Sequence, residues 1–266
     1  MGLNSDKIIC DKKGSIATVI INAPDRMNAI ELEMWAEIQK VMSKLSGDSS
    51  VRVVVFRGEG SKAFSSGADI SRFAEERFNS KQAKNYASSG FLEGLKSVGS
   101  FPKPVLSLIQ GYCVGGGMEL AAATDLRIAG ESSMFGIPAA KLGLVAGHSE
   151  LKHFVQKIGP TKTIEMLFTG RLYTSNEMFS AGYLTQIVPD IEVEKTTYDL
   201  AERIASLSPL SHMWHKSFID RILLDPSFHS LSEKDFNEEF DCFDTEDFKE
   251  GVSAFLEKRK ANFKGR

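Results

Sequence analysis

Two glycine-containing turns, each placed between an apolar β-branched run and a helix-compatible segment, most constrain how this chain can fold. The first turn spans residues 64–70 (FSSGADI), and the second spans residues 111–120 (GYCVGGGMEL). The runs that precede them, at 51–56 and 105–109, are nearly all apolar, which is typical of strands buried on both faces of a sheet. Repeated strand–turn–helix units predict an α/β fold whose strands are joined by crossover connections.

The pattern changes near residue 190, which predicts two regions. Residues 1–190 are expected to form the α/β core, which includes a strand at 16–21 and an amphipathic helix at 30–45. Residues 191–266 are expected to form a helical oligomerisation region. The helices predicted there are 192–206, 209–224, 231–240 and 244–263. Because these helices cannot complete a sheet, their apolar faces need either the core or a neighbouring subunit as a partner surface.

The composition is ordinary for a globular protein and disfavours several function classes. A net charge of −3 gives no support to a nucleic-acid partner. The cysteines, Cys10, Cys113 and Cys242, lack metal-ligand spacing, so we predict no metal site and a reducing compartment. The sequence has neither the apolar segment of a secretory signal nor a run approaching the roughly 18 apolar residues of a membrane span. We therefore expect a cytoplasmic protein without a membrane span.

The glycine triplet of the second turn is the sharpest local signal. Gly115, Gly116 and Gly117 permit close backbone approach, and the helix expected to follow presents free N–H groups at its positive end. Two such turns aimed at one point would form an oxyanion hole, with Glu119 as an acid or base beside it. On these residues alone, the glycines could equally serve tight helix–strand packing, and Glu119 could simply favour the helix dipole.

With the segment 22–30 (NAPDRMNAI), the two turns resemble the signature segments of the crotonase family, the enoyl-CoA hydratases and isomerases. Further similar segments are 141–144 (KLGL), 169–171 (TGR) and 250–259 (EGVSAFLEKR). The resemblance runs from about residue 6 to the C-terminus. It implies a crotonase-like ββα spiral core with a C-terminal helical region, assembled as a homotrimer or a dimer of trimers.

The resemblance also assigns roles to individual residues. It implies that the backbone N–H groups of Ala68 and Gly116 hold a thioester oxygen while Glu119 moves protons. Coenzyme A enters as part of the substrate, so no separate cofactor is implied. The residues implied to contact the acyl-CoA are Arg26, Met27, Ala29, Ser66, Ala68, Asp69, Ile70, Gly116 and Lys258. On charge pattern alone, Lys258 is better explained as part of a solvated helix face.

The sequence departs from the family's hydratases at Ala139, where they carry a second glutamate after a proline. This change puts hydration by the usual pair of glutamates in doubt, whereas Glu119 alone could still shuttle a proton. His148 could be a replacement acid or base, or a surface histidine beside a helix that Ser149 caps. We interpret Glu150 as a residue that favours the dipole in the first turn of that helix rather than as a catalyst.

The residues and the resemblance together predict an acyl-CoA lyase or isomerase of fatty-acid metabolism. Hydration of an enoyl-CoA is the first candidate reaction, and isomerisation is the second. Decarboxylase and thioesterase chemistry on the same platform, and a non-catalytic CoA-binding protein, remain open. The segment 71–100 is expected to shape the acyl pocket, although its aromatic residues could equally pack between helices. Those residues are Phe73, Phe78, Tyr86 and Phe91.

Overall fold

The computed structural model describes residues 6–266 and consists of two β-sheets surrounded by helices. The strands are β1 (Ile8–Lys13), β2 (Ile16–Ile21), β3 (Val53–Gly58), β4 (Ala63–Ser65), β5 (Val105–Ile109), β6 (Tyr112–Val114), β7 (Leu126–Gly130), β8 (Met134–Gly136), β9 (Tyr173–Thr174) and β10 (Gln186–Val188). The larger sheet has the order β1-β2-β3-β5-β7-β10 and is parallel except where β1 pairs with β2. The smaller sheet has the order β4-β6-β8-β9, with β9 antiparallel to β8.

The chain visits the two sheets alternately, so that it forms a spiral. Strands β3, β5 and β7 lie in the larger sheet, and each is followed closely by β4, β6 or β8 in the smaller one. A helical segment then returns the chain to the next turn of the spiral. This arrangement is the predicted ββα spiral, and it places the ends of β4 and β6 side by side.

The helices follow the same chain order. They are α1 (Leu32–Gly47), α2 (Phe73–Glu76), α3 (Ser80–Tyr86), α4 (Leu92–Gly99), α5 (Gly116–Ala123), α6 (His148–Thr169), α7 (Ser175–Ser180), α8 (Val193–Ala205), α9 (Pro209–Leu224), α10 (Glu233–Asn237) and α11 (Glu246–Leu256). Shorter 3₁₀ turns include Ile70–Arg72, Pro138–Leu142 and Glu238–Asp244. Within residues 6–266, no helix has the length and apolar character needed to cross a membrane.

The central strands are buried on both faces, as their continuous apolar runs predict. In β3, Val54 and Phe56 join the core beneath α1, whereas Val53 and Val55 pack in a second cluster that includes Val193 of α8. Alternate side chains of a strand point to opposite faces, so both faces of the larger sheet are covered by helices. Helix α8 therefore packs on the sheet, although it lies in the segment predicted as an oligomerisation region. The division of the chain near residue 190 stays a prediction.

The last predicted helix, 244–263, is too long. Helix α11 ends at Leu256, and the chain beyond it is held in a non-helical conformation by contacts with distant residues. The Arg52 guanidinium donates to the carbonyl oxygen of Phe263, and the Asp247 carboxylate accepts hydrogen bonds from the N–H groups of Lys264 and Gly265. The helix predicted at 231–240 is likewise wrong in extent, because α10 stops at Asn237 and continues as a 3₁₀ turn. Local periodicity carries no information about such long-range contacts.

Candidate active site

The two glycine turns lie against each other at the carboxyl ends of the neighbouring strands β4 and β6. Gly67 has a φ of 96°, and a Cβ at this position would lie 2.8 Å from the Val114 carbonyl oxygen and 3.1 Å from the Gly116 nitrogen. A Cβ at Gly117 would lie 2.6 Å from the side chain of Ser65. Glycine is therefore required at both positions, because a side chain at either would push the two turns apart.

Two backbone amides at this junction are free to bind a ligand. Gly116 is the first residue of α5, so its N–H has no acceptor within the helix. The N–H of Ala68 has no recorded acceptor among residues 6–266 either. A Cβ placed on Gly116 would lie 3.8 Å from the Ala68 nitrogen, so the two turns bring these amides into the same small space. Ala68 and Gly116 also line one common cavity.

The cavity beside these amides encloses about 150 Å³. Its wall combines apolar side chains with a few charged ones. The residues that line it are Trp35, Ser66, Ala68, Ile70, Phe73, Arg77, Tyr86, Phe91, Val114, Gly115, Gly116, Glu119, Ile137, Pro138, Ala139, Leu142, Leu144, Val145, Ala146 and Glu150. A mostly apolar pocket with a few convergent polar groups is typical of a small-molecule site.

Glu119 points from the first turn of α5 towards the free amides. Its Oε2 atom would lie 3.8 Å from a Cβ on Gly116. Burial raises the pKa of Glu119 to about 8, and the negative charge of Glu150 adds to the rise, while the positive charge of Arg77 opposes it. Burial outweighs the stabilisation that the helix dipole gives to the charged form. A carboxyl group with a pKa near neutrality can both give and take protons under physiological conditions.

The raised pKa of Glu119 predicts a pH-dependent gain of stability for Glu119→Gln. The folded state binds the Glu119 proton up to about pH 8, whereas the unfolded chain releases it near the ordinary glutamate value. The glutamate protein therefore loses stability as pH rises through this window, and the glutamine variant does not. We expect the free energy of unfolding of Glu119→Gln, relative to wild type, to be larger at pH 9 than at pH 5. Urea denaturation at the two pH values measures this difference, and an equal effect at both would contradict the burial of an ionisable group.

The three positions considered for a second acid or base differ in whether they reach the cavity. Ala139 lines the cavity but offers no acid or base there. Helix α6 begins at His148 itself and is preceded by Gly147, so the prediction that Ser149 caps it is wrong. His148 is exposed and is not among the residues that line the cavity. Glu150 does lie in the first helical turn as predicted, but it also lines the cavity, a position that the helix-dipole interpretation did not anticipate.

The segments around residues 26–29 and 66–70 are joined at the edge of the cavity. The Arg26 guanidinium pairs with the Asp69 carboxylate, which also accepts hydrogen bonds from the backbone N–H and hydroxyl of Ser71. The N–H of Ser66 donates to the carbonyl oxygen of Met27 over 2.9 Å. These contacts fix the turn that presents the Ala68 amide.

The residues expected to contact acyl-CoA are brought together only in part. Ser66, Ala68, Ile70 and Gly116 line the cavity. Arg26, Met27 and Ala29 do not line the cavity. Arg26 and Met27 contact the 66–70 turn, and Ala29 is buried. Lys258 is exposed beyond the end of α11 and does not line the cavity of its own chain. Its assignment to the nucleotide end of coenzyme A stays a prediction.

Sequence reasoning did not assign Arg77 or Trp35 to the cavity, and it placed Phe78 there wrongly. Phe73, Tyr86 and Phe91 line the cavity, as the prediction for segment 71–100 requires, but Phe78 is 80% exposed and does not. Arg77 lines the cavity and was not singled out. Trp35 lies in the amphipathic helix predicted at 30–45, and it reaches the cavity as well as the core. No local signal marks Arg77, because an arginine between helical segments is ordinarily solvated.

Comparison with known proteins places this fold and site in a family. A family profile described as enoyl-CoA hydratase/isomerase matches residues 11–266. The chain belongs to the enoyl-CoA hydratase/isomerase family. A short-chain-enoyl-CoA hydratase of Clostridium acetobutylicum is 32% identical over all of both chains. A crotonyl-CoA hydratase of Syntrophomonas wolfei is 30% identical, over 97% of this chain and 98% of that protein.

A solved structure from the same family is similar over nearly the whole chain. The crystal structure of an enoyl-CoA hydratase/carnithine racemase from Magnetospirillum magneticum superposes with a TM-score of 0.95 at 39% identity, covering 99% of this chain and 97% of that one. The crotonase fold predicted from the sequence is therefore confirmed. Family membership alone leaves the reaction open.

Proposed function

We propose that this protein is an acyl-CoA lyase of the enoyl-CoA hydratase type. The observation that carries the proposal is the convergence of two free backbone amides, Ala68 and Gly116, with Glu119 at one cavity. A thioester oxygen placed between the two N–H groups would be stabilised as negative charge develops on it. Relatives at about 30% identity named as short-chain-enoyl-CoA and crotonyl-CoA hydratases support the same reaction class.

Hydration needs one group to activate water and one to protonate the carbon next to the thioester. In the proposed reaction, a base accepts a proton from water as the water oxygen bonds to the β-carbon. The electron pair of the C=C bond moves towards the thioester oxygen, and the amides of Ala68 and Gly116 stabilise the resulting enolate. A proton then bonds to the α-carbon. Glu119 retains its proton near neutral pH because its pKa is about 8, so it is suited to give that proton.

Glu150 is the group that we propose to activate the water. It lines the same cavity, and its charge acts on Glu119. It would supply from α6 the carboxylate that is missing at Ala139. A protonated Glu119 and a second carboxyl group in the same cavity would provide the acid and the base that hydration requires.

Glu150→Gln is expected to lower the rate of hydration and to change its pH dependence. Loss of a positioned base costs about 10²–10⁴-fold in rate. Removing the negative charge also lowers the pKa of Glu119, because like charges raise the pKa of a carboxyl group. For the wild type, kcat/KM for crotonyl-CoA hydration should fall above about pH 8 as Glu119 loses its proton. In the variant, the residual rate should begin to fall at lower pH.

The pH profile distinguishes this mechanism from one in which Glu119 works alone. If Glu119 were itself the base that activates water, kcat/KM for hydration would rise towards pH 8 instead of falling above it. Little loss of rate in Glu150→Gln would lead to the same conclusion. His148→Gln is the matched control, because His148 lies two residues away in the same helix turn but is exposed outside the cavity.

Isomerisation of an enoyl-CoA is the second candidate reaction, and Ala139 is the observation that favours it. One carboxylate that removes and returns a proton is sufficient for this reaction. Incubation with 2-enoyl and 3-enoyl thioesters of equal length, followed by separation of hydroxyacyl and enoyl products, tests the two reactions directly. Formation of the 3-hydroxyacyl thioester supports hydration, whereas interconversion of the two enoyl thioesters alone supports isomerisation. Binding without any turnover would support a non-catalytic CoA-binding protein.

We also propose that the protein acts as a homotrimer or a dimer of trimers. The C-terminal helices leave large apolar side chains exposed, including Leu224, Phe240 and Phe255. Closed symmetry would bury such faces against copies of the chain. An assembly of this kind also gives Lys258 a route to coenzyme A bound by a neighbouring subunit. Sedimentation velocity measures the assembly, and a monomer at micromolar concentration would contradict this part of the proposal.

A further inference from the structure

An arginine without a hydrogen-bonded partner in the protein lies in the wall of the candidate acyl pocket. The guanidinium of Arg77 makes no ion pair or side-chain hydrogen bond with residues 6–266, and its Nε atom is buried without a hydrogen-bond partner. Glu119 and Glu150 line the same cavity, but neither forms an ion pair with Arg77 within the part of the chain that the structure describes, and the Arg77 charge acts on Glu119 only at longer range. A buried donor without a partner is costly, so such a group calls for an explanation.

The aromatic residues beside it hold the guanidinium in a fixed plane. Its central carbon lies 3.9 Å from the centre of the Phe73 ring and 4.1 Å from the centre of the Tyr86 ring. Both aromatic residues line the cavity together with Arg77. Stacking on the ring faces stabilises the cation. It leaves the N–H groups at the edge of the guanidinium plane available to donate hydrogen bonds.

A planar array of N–H donors fixed between aromatic rings in a mostly apolar wall fits one ligand chemistry closely. A carboxylate accepts two parallel hydrogen bonds from a guanidinium and neutralises its charge. A plain hydrocarbon chain would offer the guanidinium N–H groups no acceptor. We propose that Arg77 binds a carboxylate carried by the acyl group, so that the preferred substrates are thioesters of dicarboxylic acids. This inference rests on the proposed function only in placing the acyl group in this cavity.

The test compares thioesters of equal chain length that differ only in the terminal carboxylate. Dissociation constants for glutaryl-CoA and pentanoyl-CoA, and for adipyl-CoA and hexanoyl-CoA, can be measured by calorimetry on the intact protein. We expect the wild type to prefer a carboxylated member by about 10–100-fold, the range for hydrogen bonds between charged groups. In Arg77→Met, which keeps an unbranched side chain as far as the Nε position, that preference ratio should fall to about 1 or reverse. Arg77→Lys should keep part of it, because it retains the charge without the planar donors.

Lys84→Met is the matched control, since it removes one positive charge from an exposed position on α3. The preference should persist in this variant, and its loss there would indicate a general field effect and overturn the assignment. Equal affinity of the wild type for the two members of each pair would also overturn it. This comparison uses the wild type alone, so it does not depend on whether a variant folds. A preference that disappears in Arg77→Met while no enoyl thioester is turned over would support the Arg77 assignment and contradict the proposed reaction. Hydration of crotonyl-CoA without any carboxylate preference would support the proposed reaction and contradict the Arg77 assignment.

Discussion

Glu119→Gln is expected to lower the rate of crotonyl-CoA hydration by about 10²–10⁴-fold. The variant keeps the size and shape of the side chain in the cavity but can neither give nor take the proton. It should also abolish exchange of the α-proton of bound butyryl-CoA with deuterium in D₂O, because Glu119 is the group that exchanges a proton with the α-carbon in the proposed mechanism. Stopped assays for the hydroxyacyl product and mass spectrometry of the thioester measure the two effects.

Affinity for butyryl-CoA serves as the control for Glu119→Gln. It should be retained, because the thioester oxygen and coenzyme A contact other residues in the proposed complex. Unchanged hydration or unchanged α-proton exchange would remove Glu119 from the mechanism. Retained hydration with lost exchange would assign protonation of the α-carbon to another group.

Gly116→Pro is expected to lower kcat/KM by about 10²–10³-fold, the typical loss when one donor to a developing oxyanion is removed. Gly116 is the first residue of α5, a position where proline is well tolerated because the N–H has no partner in the helix. The substitution removes the proposed donor and puts the proline Cδ in place of the amide hydrogen, so the loss should be at least this large. Residual activity measured with crotonyl-CoA reports the contribution of this single amide.

Gly116→Ala is the matched control for the proline variant. A Cβ on Gly116 would make ordinary contacts of 3.5 Å with Trp35 and 3.8 Å with Glu119, and the amide N–H is retained. The alanine variant should therefore lose less activity than the proline variant, and the difference between them reports the replacement of the amide N–H by the ring carbon of proline. Equal losses in both would mean that the added bulk, not the missing donor, reduces the rate.

The main strands and turns could be predicted because local sequence carries their signals. The apolar run of β3 is buried on both faces, and Gly67 and Gly117 stand where two backbones meet. The edge strand β1 gave no such signal, since half of its residues are exposed and its sequence, IICDKK, lacks a continuous apolar run. Edge strands are commonly polar in this way, which protects them from pairing with other chains.

The composition of the cavity was harder to predict than the fold. The resemblance to the family indicated Ala68, Gly116 and Glu119, and it showed that Ala139 replaces a carboxylate. The positions of Glu150 and Arg77 depend on how α6 begins and on how the segment between β4 and β5 folds over the cavity. Those are tertiary relationships between residues distant in sequence, and neither periodicity nor local composition encodes them.

The central claim is that two backbone amides bind one thioester oxygen. A crystal structure of the protein with butyryl-CoA, a saturated thioester that cannot be hydrated, tests it most directly. The claim predicts that the thioester oxygen lies about 2.7–3.1 Å from the nitrogens of both Ala68 and Gly116, with the α-carbon facing Glu119. A thioester bound elsewhere, or one whose oxygen contacts neither amide, would contradict it.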